Sequence, residues 1–172
     1  MKRTWLLAGG ALFILAATLF FKTASASVED ALRDLHPTGS VAFLDLATVP
    51  VPHGGHLVWY SRQGRLHAAW VVPKITGWTV RAWREVPPAH PTDVTWTAWN
   101  PTKSWGAVIG RAPAHVAEVH VNGQGASLDR STGLWWSLSK TPFGLETELV
   151  GLSSTGAVQW RYPPMPAKRE SH

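Results

Sequence analysis

His53 and His56 flank two glycines, and Glu118 and His120 stand two residues apart, so these four side chains have the types that bind zinc. A His-Gly-Gly-His loop is flexible enough to turn both rings toward one ion. No further ligand stands at a characteristic spacing, and histidines in loops and on strand surfaces are ordinarily solvated. The expectation is no resident metal and no cofactor, with His53, His56, Glu118 and His120 as the candidate ligands.

Glu146 and Glu148 would lie ~7 Å apart on one face of a strand, a separation that admits the acid/base pair of a glycoside hydrolase. Thr147 and Leu149 alternate against them, so a solvent-facing strand edge explains the same pattern. Gly151 to Gly156 is no nucleophile elbow, because the second glycine falls one position late and the context is strand, turn, strand. His-Glu-x-x-His, a phosphate-binding glycine loop and a dinucleotide fingerprint are absent. The chain has no cysteine, which excludes disulfides, thiolate zinc sites and a thiol nucleophile. The expectation is a protein that is not an enzyme, with a hydrolase as the third reading.

Tryptophan is the compositional anomaly: 11 in 172 residues. Rings on an exposed β surface stack on sugars or bury into partner proteins, giving large contact area at low entropy cost. Trp96, Trp99, Trp105 and the adjacent Trp135-Trp136 are the candidate ligand-binding rings. Neighbouring strand residues point to opposite faces, so Trp135 and Trp136 cannot both be interior to one face. Tryptophan is also a common core residue of β-sandwiches. Trp70, Trp78 and Trp160 sit in apolar alternation that points inward, while Trp99 and Trp105, near the Asn100-Pro101 turn, are expected to be more exposed.

The elements that must position these side chains are mostly strands. Ser27 to Leu35 reads as a short helix, with Ser27 as cap, Glu29 and Asp30 in the first turn, and Val28, Ala31, Leu32 and Leu35 on one stripe. His36-Pro37 stops it. From Gly39 the hydrophobic period is two. Strands are expected over Ser40 to Val49, His56 to Arg62, Arg65 to Val72, Trp78 to Val86, Val94 to Trp99, Trp105 to Ala112, Val116 to Val121, Leu134 to Ser139, Glu146 to Leu152 and Ala157 to Tyr162. Gln63-Gly64 has the spacing of a tight hairpin, and Asn122-Gly123, Ser131 to Gly133 and Ser154 to Gly156 punctuate as turns.

The fold expected is all-β: an antiparallel immunoglobulin-like sandwich or open barrel, preceded by one short helix and an N-terminal hydrophobic leader helix. Residues 1–26 are the leader, 27–38 the amphipathic helix and its connection, 39–162 the β domain and 163–172 a disordered tail. Pro87 to Pro91 reads as a rigid loop inside one domain; two small subdomains meeting near it are the alternative.

Lys2 and Arg3 precede an uncharged stretch from Thr4 to Phe21, ~27 Å long as a helix against a ~30 Å hydrocarbon core. The basic flank places that end in the cytoplasm and sends the rest of the chain outward. Ala24-Ser25-Ala26 has the small residues of a cleavage site, so a cleaved signal and a retained membrane anchor through residues 4–21 both fit. Removing Lys2, Arg3 and Lys22 leaves 13 basic residues against 11 acidic ones, a net of +2, and the basic residues are scattered. That excludes the basic stripe of a nucleic-acid binder. The localisation expected is extracytoplasmic, secreted or anchored with the domain outside.

Val108-Ile109-Gly110-Arg111, Val116 to Val121, Gly133-Leu134-Trp135-Trp136 and the closing run Leu149 to Val158 form a strand-and-turn pattern. With it, Gly106 to Tyr162 resembles the C-terminal part of uncharacterised exported β-sandwich proteins of Gram-positive bacteria. Ser153-Ser154 stand where those chains frequently carry an Asp. The resemblance implies a small immunoglobulin-like sandwich and no particular activity. The function expected is a non-catalytic, exported or membrane-tethered domain that binds another protein at the cell surface, with a cell-wall glycan-binding module as the alternative.

Overall fold

The computed structural model describes residues 27–38, 41–43, 48–52, 54–75 and 77–163. The leader, His53 and the tail beyond 163 lie outside the described residues. Among the described residues no helix is long and apolar enough to cross a membrane.

The helix α1, Val28–Leu35, forms as its sequence dictates. Ser27 has extended backbone angles, and its hydroxyl oxygen accepts from the Asp30 N–H at 3.0 Å, satisfying one of the orphan donors of the first turn. Glu29 and Arg33 pair across one turn on the exposed side. At the other end the His36 N–H donates to the Leu32 and Arg33 carbonyls. Ala31 and Leu32 are buried.

Thirteen strands follow among the described residues, all in antiparallel sheets, none of which closes into a barrel. The first sheet contains β1 (Val41–Phe43), β2 (Val49–Pro50), β3 (His56–Arg62), β4 (Arg65–Lys74) and β5 (Gly77–Glu85). Its order is β1-β3-β4-β5, with β2 also paired to β3. Of the strand expected over Ser40 to Val49, the described residues show two short stretches paired to β3, Val41 opposite Arg62 and Val49 opposite Leu57. Gln63 and Gly64 both have positive φ, 52° and 74°, the requirement of the two-residue turn whose twist matches the strands it joins. Leu32 of α1 packs with Val58, Tyr60, Ala69 and Val71 on one face of this sheet, and Trp78 and Val80 border that cluster.

The second sheet runs β10-β11-β7-β6 and the third β13-β12-β8-β9. Their strands are β6 (Thr95–Trp99), β7 (Gly106–Arg111), β8 (Glu118–Val121), β9 (Gln124–Gly125), β10 (Ser127–Asp129), β11 (Leu134–Ser139), β12 (Leu149–Leu152) and β13 (Val158–Tyr162). β9 and β10 are too short to show a period in the sequence. Val108 and Trp135 from the second sheet share one core with Val119, Val121 and Leu149 from the third. Gly110 lies opposite both Trp96 and Trp135, so a glycine sits between two tryptophans on that inner face. Ala107 and Ile109 point away from Val108, yet all three are fully buried. β7 is thus interior on both faces, which is why it reads as an almost continuous apolar run.

Asn122-Gly123 turns β8 into β9 with φ of 51° and 77°. The Asn122 N–H donates to the Glu148 carbonyl and the Glu148 N–H donates to Asn122 Oδ1, each at 2.8 Å, which clasps this hairpin to the start of β12.

The chain divides into two compact units. Among the described residues, one comprises those from 27 to 50 with those of 54–64 and 68–83; the other comprises 51–52, 65–67 and 84–163. The main change of unit falls between Trp83 and Arg84, ahead of the proline run at 87–91, within the span read from sequence as one domain. The first sheet belongs chiefly to the first unit, and the second and third sheets belong to the second.

Candidate functional site

The five candidate tryptophans do not form an exposed face. Trp105 and Trp135 are fully buried and Trp99 is 5 % exposed. A ring with no solvent-facing surface cannot stack on a sugar, so these three are corrected to interior residues. Trp96 is half-buried against the shared core and meets Tyr162 edge to face, ring centroids 4.8 Å apart. Trp136 is half-buried on the face opposite Trp135, as strand alternation requires. Trp70, Trp78 and Trp160, expected inside, are also only half-buried. The most exposed tryptophan among the described residues is Trp83, at 44 %, on β5.

The candidate metal ligands form no cluster among the described residues. His53 lies outside the described residues. His56 is in the first unit, half-buried, its ring 5.9 Å from that of Trp78. Glu118 and His120 are in the second unit and share a hydrogen bond of 3.2 Å, so their expected placement on one side of β8 holds. Among the described residues no three His, Cys, Asp or Glu side chains are grouped to hold a metal ion.

Glu146 and Glu148 are not an i, i+2 pair on a strand. The expected strand starts at Leu149, because Thr147 donates to the Gly144 carbonyl from both its N–H and its hydroxyl and so holds 144–147 in a turn. Both carboxylates are exposed, and Glu148 pairs with Arg161 at 3.5 Å.

A group that sequence reasoning passed over lies in the first unit. His36, read only as a helix stop, is buried, and its Nε2 shares a 2.9 Å hydrogen bond with the Tyr60 hydroxyl. The Trp83 ring meets that of His36 edge to face at 5.4 Å. Burial pushes the Tyr60 hydroxyl up to about 12, with the positive charge of Arg62 pulling the other way. At neutral pH the phenol is protonated and interior, so the pair ties the end of α1 to β3 and offers no base or nucleophile to solvent. Its partners are 24 residues apart, and no local pattern announces it.

Two concave sites lie at opposite ends of β11 in the second unit. Near its start a cavity of about 480 Å³ is lined by the 112–117 segment, Leu128, Arg130, Gly133 and Ser154. Near its end a cavity of about 380 Å³ is lined by Asn122, Gln124, Ser137, Ser139, Lys140 and Phe143, among others.

The remaining surface of note is β5, an edge strand of the first sheet. None of its nine residues is buried, whereas β3 buries four of seven. Arg81 and Trp83 stand on one side of it, both exposed, and Ile75 at its entry is 96 % exposed. Arg81 makes no ion pair among the described residues.

Compared with known proteins, the chain matches no family model, no curated protein and no solved structure.

Proposed function

We propose that this chain is a non-catalytic, exported or membrane-tethered binding protein that engages another polypeptide by adding a strand to β5. The observation that carries the reading is the nine-residue edge strand, ~30 Å of backbone that pairs with β4 on one side, pairs with no second strand among the described residues and buries none of its side chains. Strand addition takes its affinity from main-chain hydrogen bonds at such an edge and its specificity from alternate side chains. Trp83 and Arg81 are the residue types that most often anchor interfaces. Like charges opposite each other destabilise a ladder, so Arg81 disfavours pairing with a second copy and favours an acidic, extended partner. The leader supports an extracytoplasmic location, and two sheets on one core support an immunoglobulin-like sandwich for the second unit.

A second reading, binding of a cell-wall glycan, rests on the cavity beside Phe143 rather than on the tryptophans. The amides of Asn122 and Gln124 and the hydroxyls of Ser137 and Ser139 around one ring offer the mixed donors and acceptors that a sugar needs.

A photo-crosslinking residue in place of Trp83, in cells that make the protein, tests both. The strand-addition reading expects a discrete protein adduct from position 83, none from the more accessible position of Leu145, and loss of the adduct with Arg81→Glu. An adduct that collapses on digestion of the wall polysaccharide favours the glycan. No adduct from position 83 overturns the strand-addition reading.

A further inference from the structure

The geometry points to a second, separate binding site: the 480 Å³ cavity at the start of β11 takes a small carboxylate with an aliphatic body. Its volume lies within the range of small-molecule sites. The inner wall is apolar, with Val116 and Pro113 buried and Leu128 half-buried. The rim carries Arg130, His115 and Ser154, and no carboxylate lines the cavity.

The charge at the rim is available. Asp129, next to Arg130, has its carboxylate occupied by donors of its own turn. Its Oδ1 accepts from the Ser131 N–H at 3.0 Å and from the Ser131 hydroxyl at 2.8 Å, and its Oδ2 accepts from the Thr132 hydroxyl at 2.8 Å. Among the described residues Arg130 and His115 make no ion pair or hydrogen bond. The turn over 113–116 closes through the Val116 N–H to the Pro113 carbonyl, which leaves the N–H groups of Ala114 and His115 without a partner among the described residues.

Donors without acceptors above an apolar wall fit one chemistry. A guanidinium and free backbone N–H groups bind a carboxylate by charge-assisted hydrogen bonds, while Val116, Pro113 and Leu128 exclude water from a short alkyl chain. A neutral polar ligand would forgo the charge-assisted bond to Arg130, and a purely apolar one would cover donors that it cannot satisfy. Either a free aliphatic acid or the C-terminal residue of a polypeptide presents this chemistry.

Methyl NMR titrations of the full chain decide the matter with four probes: 4-methylpentanoate, its amide, and acetyl-Ala-Leu with a free or an amidated C-terminus. The acids should saturate, shift the Val116 and Leu128 methyls, and bind at least ~10-fold tighter than the amides, about 1.4 kcal/mol. Arg130→Gln should weaken the acids ~10-fold without moving the melting temperature, and Arg130→Lys should retain part of the affinity. Tighter binding of 4-methylpentanoate identifies a free acid, and tighter binding of the dipeptide acid identifies a chain terminus. Equal binding of acid and amide, unchanged affinity in Arg130→Gln, or shifts confined to other methyls overturns the site.

Discussion

The Trp99 ring presents its edge to the Trp105 ring, with centroids 6.1 Å apart and planes at 64°, and both side chains are interior. This pair spans the Asn100-Pro101 turn and locks β6 to β7 at their junction. Each ring removed should cost ~3–5 kcal/mol, because the cavity left by an indole cannot collapse in a packed interior. The double alanine variant should lose ~0.5–1.5 kcal/mol less than the two single losses together, the coupling of an edge-to-face pair. Trp83→Ala, at a partly exposed ring, should cost roughly 1 kcal/mol. Denaturant melts of the four variants give the ranking, and a Trp83→Ala loss as large as that of Trp105→Ala would contradict it.

Tyr60 makes stability depend on alkaline pH. Its hydroxyl ionises at about 12 in the folded chain against an ordinary value of 10.0, so the unfolded chain gives up the proton first. The contribution of this group is complete below pH ~10 and falls by up to ~2–3 kcal/mol as pH rises toward 12. Tyr60→Phe should therefore show a shallower decline in denaturation midpoint over that window than the parent. It should also be weaker at neutral pH by ~1 kcal/mol, since the bond to His36 is gone. Parallel midpoint curves above pH 10 would rule out this assignment.

Asp129 acts at the acid end. Hydrogen bonds from the Ser131 and Thr132 hydroxyls hold its carboxyl below the ordinary carboxylate range. The stabilisation is present above the ordinary value and is lost as pH falls through the depressed one. Asp129→Ala should cost on the order of 1 kcal/mol at neutral pH and reduce the loss of stability on acidification. Midpoints measured from pH 7 to pH 2 test this; an alanine variant as acid-sensitive as the parent excludes it.

Gly110→Ala should be severe. A Cβ at that position would stand 2.0 Å from the Thr95 carbonyl oxygen and 2.8 Å from Trp135 Nε1, so backbone and ring would both have to move. A loss above ~3 kcal/mol, or failure to fold, is expected. Gly125→Ala is the control, because nothing lies within 4 Å of its Cβ position. Thermal melts should leave the control within ~0.5 kcal/mol of the parent.

Local chemistry in this chain was readable where it was local. Ser27 caps α1 at its expected place, Gln63-Gly64 forms its hairpin, and Leu134–Ser139 has the expected bounds, because cap, turn and alternation each depend on neighbours in sequence. Alternation tells which residues share a side, but it does not tell what covers that side. Trp99 shares its side with Thr95 and Thr97 and was read as exposed; the burial of Ala107 and Ile109 shows that this face is interior too. Trp70, Trp78 and Trp160 fail in the reverse direction: their sides are apolar, yet each keeps part of its ring in solvent. The sites follow the same rule. His36 with Tyr60 is brought together by the end of α1 meeting β3, and Arg130 with Val116 by two separate connections lining one cavity, which no spacing in the chain encodes.

The clasp between Asn122 and Glu148 has a consequence for how the molecule ages. Asn followed by Gly is the sequence in which a peptide nitrogen most readily attacks a side-chain carbonyl, giving a succinimide and then isoaspartate. Here the Asn122 side chain is fixed at Oδ1 by the Glu148 N–H, which restrains the rotation that would bring its carbonyl carbon onto the Gly123 nitrogen, so the reaction is favoured by opening of the clasp. The product adds a methylene to the main chain inside a two-residue turn, which the pairing of Val121 with Gln124 cannot absorb. The tip of this hairpin is therefore a chemical clock, running fastest while the turn is loose and, once it has struck, keeping the turn from closing again.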